Sequence, residues 1–247
     1  MRLGFYDSGL GGLSVLKEFV GKFGSKYSYS YFGDSARAPY GDKSPEQLKS
    51  YVFEIAEYMQ ADDVDILISA CNTSSMYLDE IDLSDFSFQM ISLKNVMDKY
   101  FADNAAKYQA KRIALMATNA TIDSGRYKNW PVDIYPVKCP TIVPLLEAAQ
   151  LDAAKLEWQR YLNELPKDIK DVIIGCTHYS LLNVQASDYN FIDPAKLVLE
   201  QFSSSIFNDG MINYSKKNAN TELDIKINFT KGSDEYLKLA TELLDLH

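Results

Sequence analysis

The stretch Asp65-Ile66-Leu67-Ile68-Ser69-Ala70-Cys71-Asn72-Thr73 decides how the chain reads. An acid opens a β-rich apolar run, which shrinks to small residues and ends in a cysteine followed by an amide and a hydroxyl. Nearly the same order returns in Asp171-Val172-Ile173-Ile174-Gly175-Cys176-Thr177, with the two cysteines 105 residues apart. That separation is about one small domain. The echo predicts two similar lobes, each offering a cysteine at the carboxyl end of a strand.

Outward from these two runs, strands alternate with helices. Strands are predicted over 3–6, 27–32, 66–69, 88–93, 112–117, 172–174 and 190–192. Helices are predicted over 13–23, 45–61, 96–108, 152–165, 194–207 and 234–244. The start at 45 is the clearest, with Ser44 as N-cap, Pro45 at the first helical position and Gln47 closing a capping box. Strands separated by helical segments imply parallel sheet built from βαβ units. The expected fold is therefore α/β, with two similar lobes, each a mainly parallel sheet flanked by helices, and the active site in the cleft between them. Residues 1–94 plus 207–247 are expected to form the first lobe and residues 95–206 the second. The polar loop 213–220 is the best candidate for a chain crossing between them.

Composition narrows the function. The 247 residues carry 25 Lys plus Arg against 34 Asp plus Glu, a net charge of −9, which sets nucleic-acid binding low. No apolar stretch approaches the ~20 residues of a membrane helix, and the opening residues turn polar too soon for a signal peptide. The cytoplasm is the expected location. Three cysteines are too few for a disulfide scaffold, and two histidines cannot make a His-rich metal site.

A cysteine near an apolar strand is ordinarily a small core side chain, and Cys139 keeps that reading. Cys71 and Cys176 differ, since each leaves its strand into polar, turn-forming residues. In open α/β sheets ligands bind beyond those strand ends. Two facing thiols suit one task well: removing a proton from one face of an α-carbon and returning one to the other. Thiol and thiolate are both accessible near neutrality, the unperturbed value being ~8.5. Asp7 ends the first strand, as a turn cap or as an aid to Cys71. His178 lies two residues past Cys176, where it could modulate that thiol. Glu147 reads by default as a solvated acid. The turn Asp7-Ser8-Gly9-Leu10-Gly11-Gly12 lacks both nucleotide-binding spacings but suits a carboxylate cradle.

Together, Asp7–Gly12, Tyr31-Phe32-Gly33-Asp34-Ser35-Ala36-Arg37-Ala38-Pro39-Tyr40-Gly41, Ala70–Thr73, Ala117-Thr118-Asn119-Ala120-Thr121-Ile122, Pro144–Glu147 and Gly175-Cys176-Thr177-His178-Tyr179 resemble the glutamate racemase family. The resemblance spans roughly residues 1–195. It implies a cofactor-independent isomerase that interconverts L- and D-glutamate, the D-isomer feeding peptidoglycan synthesis. It implies that Cys71 deprotonates the D-isomer and Cys176 the L-isomer. Asp7 would assist Cys71, and Glu147 and His178 would assist Cys176. Asp7, Ser8, Pro39, Tyr40, Gly41, Asn72, Thr73, Thr118, Thr121, Thr177 and His178 would line the substrate site. The implied partner is the small-molecule substrate, with no metal, nucleic acid or membrane, and a homodimer is usual in the family. Members controlled by a cell-wall precursor tend to carry an extension before the first strand, so such control is not expected here.

The sequence departs from the family's pattern over Met90–Asn95, where a Gly-Val strand end with a nearby Pro or Gly is usual, and at Ser180, where a proline is usual. Related activities stay open at this point: aspartate racemase, a maleate-type cis–trans isomerase, or a binding or regulatory relative. A decarboxylase needs one thiol, so the second cysteine argues against it. Glutamate and aspartate differ by one methylene, worth only ~1–3 kcal/mol of discrimination.

Overall fold

The computed structural model describes residues 1–182, 188–208 and 222–244. The chain begins with β1 (Arg2–Asp7), α1 (Leu13–Phe23), β2 (Ser28–Gly33), α2 (Pro45–Ala61), β3 (Ile66–Ser69), the four-residue α3 (Asn72–Ser75), β4 (Gln89–Ser92) and α4 (Leu93–Asp103). It continues with α5 (Ala105–Tyr108), β5 (Arg112–Ala117), α6 (Asn119–Asp123), β6 (Asp133–Lys138), α7 (Ile142–Glu147), α8 (Leu151–Asn163), β7 (Asp171–Gly175) and the four-residue α9 (Thr177–Ser180). Last come β8 (Asn190–Ile192), α10 (Pro194–Asn208), β9 (Ile225–Phe229) and α11 (Ser233–Leu243).

The strands form two sheets, ordered β4-β3-β1-β2-β9 and β6-β5-β7-β8. Every pairing among the described residues is parallel. The central strands β1, β3, β5 and β7 are almost wholly buried and lie between helical layers.

The start of α2 is as predicted: Ser44 accepts from the Gln47 amide while the Gln47 side chain accepts from the Ser44 amide. The helix expected over 96–108 is two helices. Asn104 ends α4 by turning its side-chain amide back onto the Tyr100 carbonyl at 2.8 Å, competing with continuation of the helix. Two strands go unread in the sequence. β6 contains Pro136, which argues against a strand, but β6 is an edge strand, where a missing N–H is tolerated. β9 lies beyond the loop 213–220, which is outside the described residues, as is His247. β9 pairs with β2, aligning Tyr29 with Ile225 and so joining the first sheet.

Helices α4 and α10 are shared by both sheets. Leu93 and Val96 of α4 and Ala195, Val198 and Phe202 of α10 sit in one core with Leu3, Phe5 and Phe19. Met97 and Phe101 of α4 pack instead with Ile113, Leu115 and Ile173. The departure over 90–95 lies here. Ser92 caps α4 by accepting from the Lys94 amide. The nearly buried Lys94 ammonium meets Asp79 at 2.9 Å and Asp98 at 2.8 Å. Trp130 Nε1 donates to the other Asp98 oxygen at 2.7 Å. Ser180 donates to Asp193 at 3.1 Å, and Asp193 in turn caps the Ala195 amide at the start of α10. Among the described residues no helix is long and apolar enough to cross a membrane.

Phe202 is 3% exposed and surrounded by Phe19, Phe23 and Tyr27 at centroid distances of 5.0, 5.7 and 6.1 Å. Phe202→Ala is expected to cost about 3–5 kcal/mol of unfolding free energy. Urea denaturation of the variant against the parent checks this.

Candidate active site

Because the strands of each sheet run in one direction, their carboxyl ends share one edge. The turns that leave those ends meet across a cleft between the sheets. Thr73 and Thr118 share a hydroxyl hydrogen bond of 2.9 Å, Thr177 Oγ1 donates to Asp7 Oδ1 at 3.5 Å, and Ser14 donates to the Thr177 carbonyl at 3.2 Å. Each of these contacts joins elements of different sheets.

One small cavity lies at this junction, with a volume of about 10 Å³. Asp7, Ser8, Pro39, Tyr40, Gly41, Cys71, Asn72, Thr73, Thr118, Cys176, Thr177 and His178 all line it, so nearly the whole set singled out in the sequence converges there. Val143 of α7 joins them, a residue nothing in the sequence marked out. Thr121 and Glu147 stand directly behind, Thr121 on the Thr118 hydroxyl at 3.1 Å and Glu147 on His178. The volume is room for about one water.

The two thiols occupy equivalent places. Cys71, one residue past the end of β3 beyond Ala70, is the extended N-cap residue of α3, and Cys176, directly after β7, is the extended N-cap residue of α9. Both are buried, as is Cys139, which sits in the second sheet's core. Their surroundings differ. Cys176 Sγ is 3.7 Å from His178 Nδ1, and His178 Nε2 is 2.5 Å from Glu147 Oε1. Burial opposes a charge on His178, yet the hydrogen bonds to Cys176 and Glu147 overcome it and raise the imidazole well above its ordinary value. Burial likewise works against the Glu147 carboxylate, but His178 and Tyr236 hold its pKa down at about 2. Glu147 is thus not the solvated acid its sequence position suggested. It ends α7, its side chain is 13% exposed, and it is ionised against an imidazolium.

On the other side, burial pushes the Cys71 thiol up, and the nearby Asp7 charge adds to the effect while the amide and hydroxyl of Ser74 oppose it. Burial raises Asp7 too, against the charge of His178 and the amides of Gly9 and Gly12. Asp7 also caps its own turn, accepting from the Gly9 amide at 3.0 Å.

The glycine-rich turn does cradle a carboxylate, and that carboxylate is Glu147. The Leu10 amide donates to Glu147 Oε1 at 3.1 Å. A Cβ at Gly9 would lie 2.2 Å from that same oxygen, and one at Gly11 would lie 2.2 Å from His178 Nδ1. Only glycine permits this approach.

Two contributors were not legible in the sequence. Asp34, fully buried, takes the Tyr40 hydroxyl at 2.5 Å and the Arg37 guanidinium at 2.5 Å, fixing the loop that carries Pro39–Gly41. Tyr236 of α11 donates to Glu147 Oε2 at 2.6 Å. Its place behind the site depends on a chain return of some 90 residues, which no local pattern signals. Asn72 Nδ2, in the cavity wall, is buried and has no hydrogen-bond partner among the described residues. No Lys or Arg lines the cavity. Among the described residues no group of three or more His, Cys, Asp or Glu is placed to hold a metal ion.

The site is thus a cavity between two parallel sheets, with one strand-end thiol contributed from each. No family model matches the chain. It is 31% identical over the full length of both chains to glutamate racemase of Aquifex aeolicus, and 35% identical to that of Synechocystis, over 93% of this chain and 82% of the relative. The structure of Francisella tularensis glutamate racemase in complex with D-glutamate superposes with a TM-score of 0.82 at 25% identity, covering 100% of this chain and 94% of that one. The chain belongs to the glutamate racemase family.

The Glu147–His178 pair has a stability signature. The folded Glu147 pKa lies below its ordinary 4.5, so its contribution is present above that value and is lost as pH falls toward about 2. Between pH 5 and 3, Glu147→Gln is expected to lose less stability than the parent. Thermal midpoints across that range measure the difference.

Proposed function

We propose that this chain racemises glutamate by two-base proton transfer between Cys71 and Cys176, with no cofactor. The observation that carries this reading is the convergence of both thiols, from opposite sheets, on one cavity. Cys176 stands 3.7 Å from the His178 ring and takes the role of base toward L-glutamate, while burial keeps Cys71 as the thiol. In that starting state Cys176 removes the α-proton of L-glutamate as the C–H bond breaks and an S–H bond forms. Cys71 then delivers its own proton to the opposite face, giving D-glutamate, and the reverse reaction exchanges the roles. Such acid–base help typically supplies about 10²–10⁴-fold per group.

The remaining site residues hold the substrate's polar ends. The unpaired Asn72 amide and the Thr73, Thr118 and Thr121 hydroxyls offer donors to carboxylates. An unmet buried donor costs about 1–3 kcal/mol, which a bound carboxylate oxygen relieves. Asp7, assisting Cys71, also offers an acceptor to the substrate ammonium. On this reading the enzyme works in the cytoplasm and supplies D-glutamate for peptidoglycan. The lobes are residues 1–94 plus 207–247 and residues 95–206, and the cleft opens about their junction to admit substrate.

Cys71→Ala and Cys176→Ala are each expected to lower racemisation by at least about 10³-fold while leaving the circular dichroism spectrum and thermal midpoint near those of the parent. In heavy water the parent should place deuterium on the product's α-carbon. Product that keeps its original α-hydrogen at initial rates would refute a site that exchanges protons with solvent.

A further inference from the structure

We infer that Tyr236 is a positioning residue for the Cys176 half of the reaction, its hydroxyl fixing the Glu147 carboxylate that in turn fixes His178. The inference rests on the two-thiol reading and extends it to α11, beyond the part of the chain whose motifs carry the family pattern.

Glu147 has two oxygens and a broad terminal torsion. Oε1 receives His178 Nε2 at 2.5 Å and the Leu10 amide at 3.1 Å. Oε2 receives the Tyr236 hydroxyl at 2.6 Å. With donors on both oxygens the carboxylate plane is set, and with it the direction in which His178 presents Nδ1 to Cys176, 3.7 Å away. The series runs Tyr236–Glu147–His178–Cys176.

Tyr236 is itself well anchored. Its ring meets Phe229 edge-on at 5.0 Å, and Phe229 lies 5.8 Å from the Tyr31 ring. The Tyr31 hydroxyl donates to the Gly9 carbonyl at 2.7 Å, bracing the turn that Glu147 touches. Both ends of the Tyr236–Glu147 bond are therefore tied to the first sheet, Phe229 standing in β9 and Tyr31 in β2. Cys71, by contrast, is attended by Asp7 and Ser74. Helix α11 touches the Cys176 series directly and reaches Asp7, beside Cys71, only through the charges of His178 and Glu147.

A racemisation rate cannot show this one-sidedness. L- and D-glutamate are equally stable in solution, so kcat/KM must be the same in both directions for any variant. Single-thiol variants remove that constraint. With Cys71→Ala, the Cys176 thiolate takes the α-proton of L-glutamate, the thiol trades its proton for a solvent deuteron, and the deuteron returns to the same face. With Cys176→Ala, Cys71 does the same for D-glutamate.

The test is exchange of the α-hydrogen in heavy water, followed by NMR, with Tyr236→Phe added to each single-thiol variant. The phenylalanine keeps the ring against Phe229 and removes only the hydroxyl. Exchange of L-glutamate in the Cys71→Ala background should fall about tenfold, the loss of one hydrogen bond to a charged group. Exchange of D-glutamate in the Cys176→Ala background should stay within about twofold. In the otherwise unaltered enzyme, Tyr236→Phe should lower kcat/KM equally for both isomers, with the thermal midpoint within about 2–4 °C of the parent. Equal losses on both sides, or no loss on either, would overturn the inference while leaving the two-thiol reading intact. If the parent enzyme racemises but neither single-thiol variant exchanges either isomer, the two-thiol reading fails and the inference falls with it.

Discussion

Parallel pairing is the constraint from which the site follows. In each sheet every strand points the same way, so every strand delivers its outgoing turn to the same edge. A single α/β sheet uses that edge to surround a ligand from one side. Two such sheets, facing edge to edge, surround it from both. The strand-end positions then acquire opposite approaches to one small volume without any residue being contributed by a distant surface. Cys71 after β3 and Cys176 after β7 are each the N-cap residue of a four-residue helix at a strand end. Helices α4 and α10, which pack into both cores, hold the two edges in this relation.

The parts of this arrangement that were legible in the sequence are local. The Ser44–Gln47 capping box and the four-residue run Ile66–Ser69 are set by residues within a few positions of one another, and they form as read. The site was legible because its residues sit at strand ends, marked by an abrupt change from apolar to small and hydroxylated residues. What escaped depends on remote packing. Pro136 argues against a strand until β6 is known to lie at an edge. Glu147 looks solvated until the turn at Gly9–Gly11 is laid over it, and Tyr236 has no local signal at all. Asp34 belongs to a local motif, yet its burial beneath Tyr40 depends on packing that the motif does not carry.

On the proposed two-thiol mechanism the substrate's two forms are mirror images while the site is not symmetric, and the physical reason lies in the charge that the two thiols would share. One proton for two sulfurs leaves one thiolate, and an anion in so enclosed a space needs a cation. Among the residues lining the cavity His178 supplies one, and it stands beside Cys176. Placing it next to Cys176 requires a carboxylate to hold the imidazolium, hence Glu147, and a second donor to satisfy that carboxylate, hence Tyr236. Bringing this series close to the β1 turn in turn requires the absence of a Cβ at Gly9 and Gly11. Cys71 needs none of these, since burial and Asp7 keep its proton on. Once Cys176 has taken the α-proton and Cys71 has given its own to the opposite face, the negative charge lies on Cys71, beside Asp7. The raised Asp7, able to take up a proton more readily than an ordinary carboxylate, and the Ser74 donors are the groups placed to moderate that cost. The asymmetry is therefore the direct consequence of stabilising one buried anion at two places with a single cation.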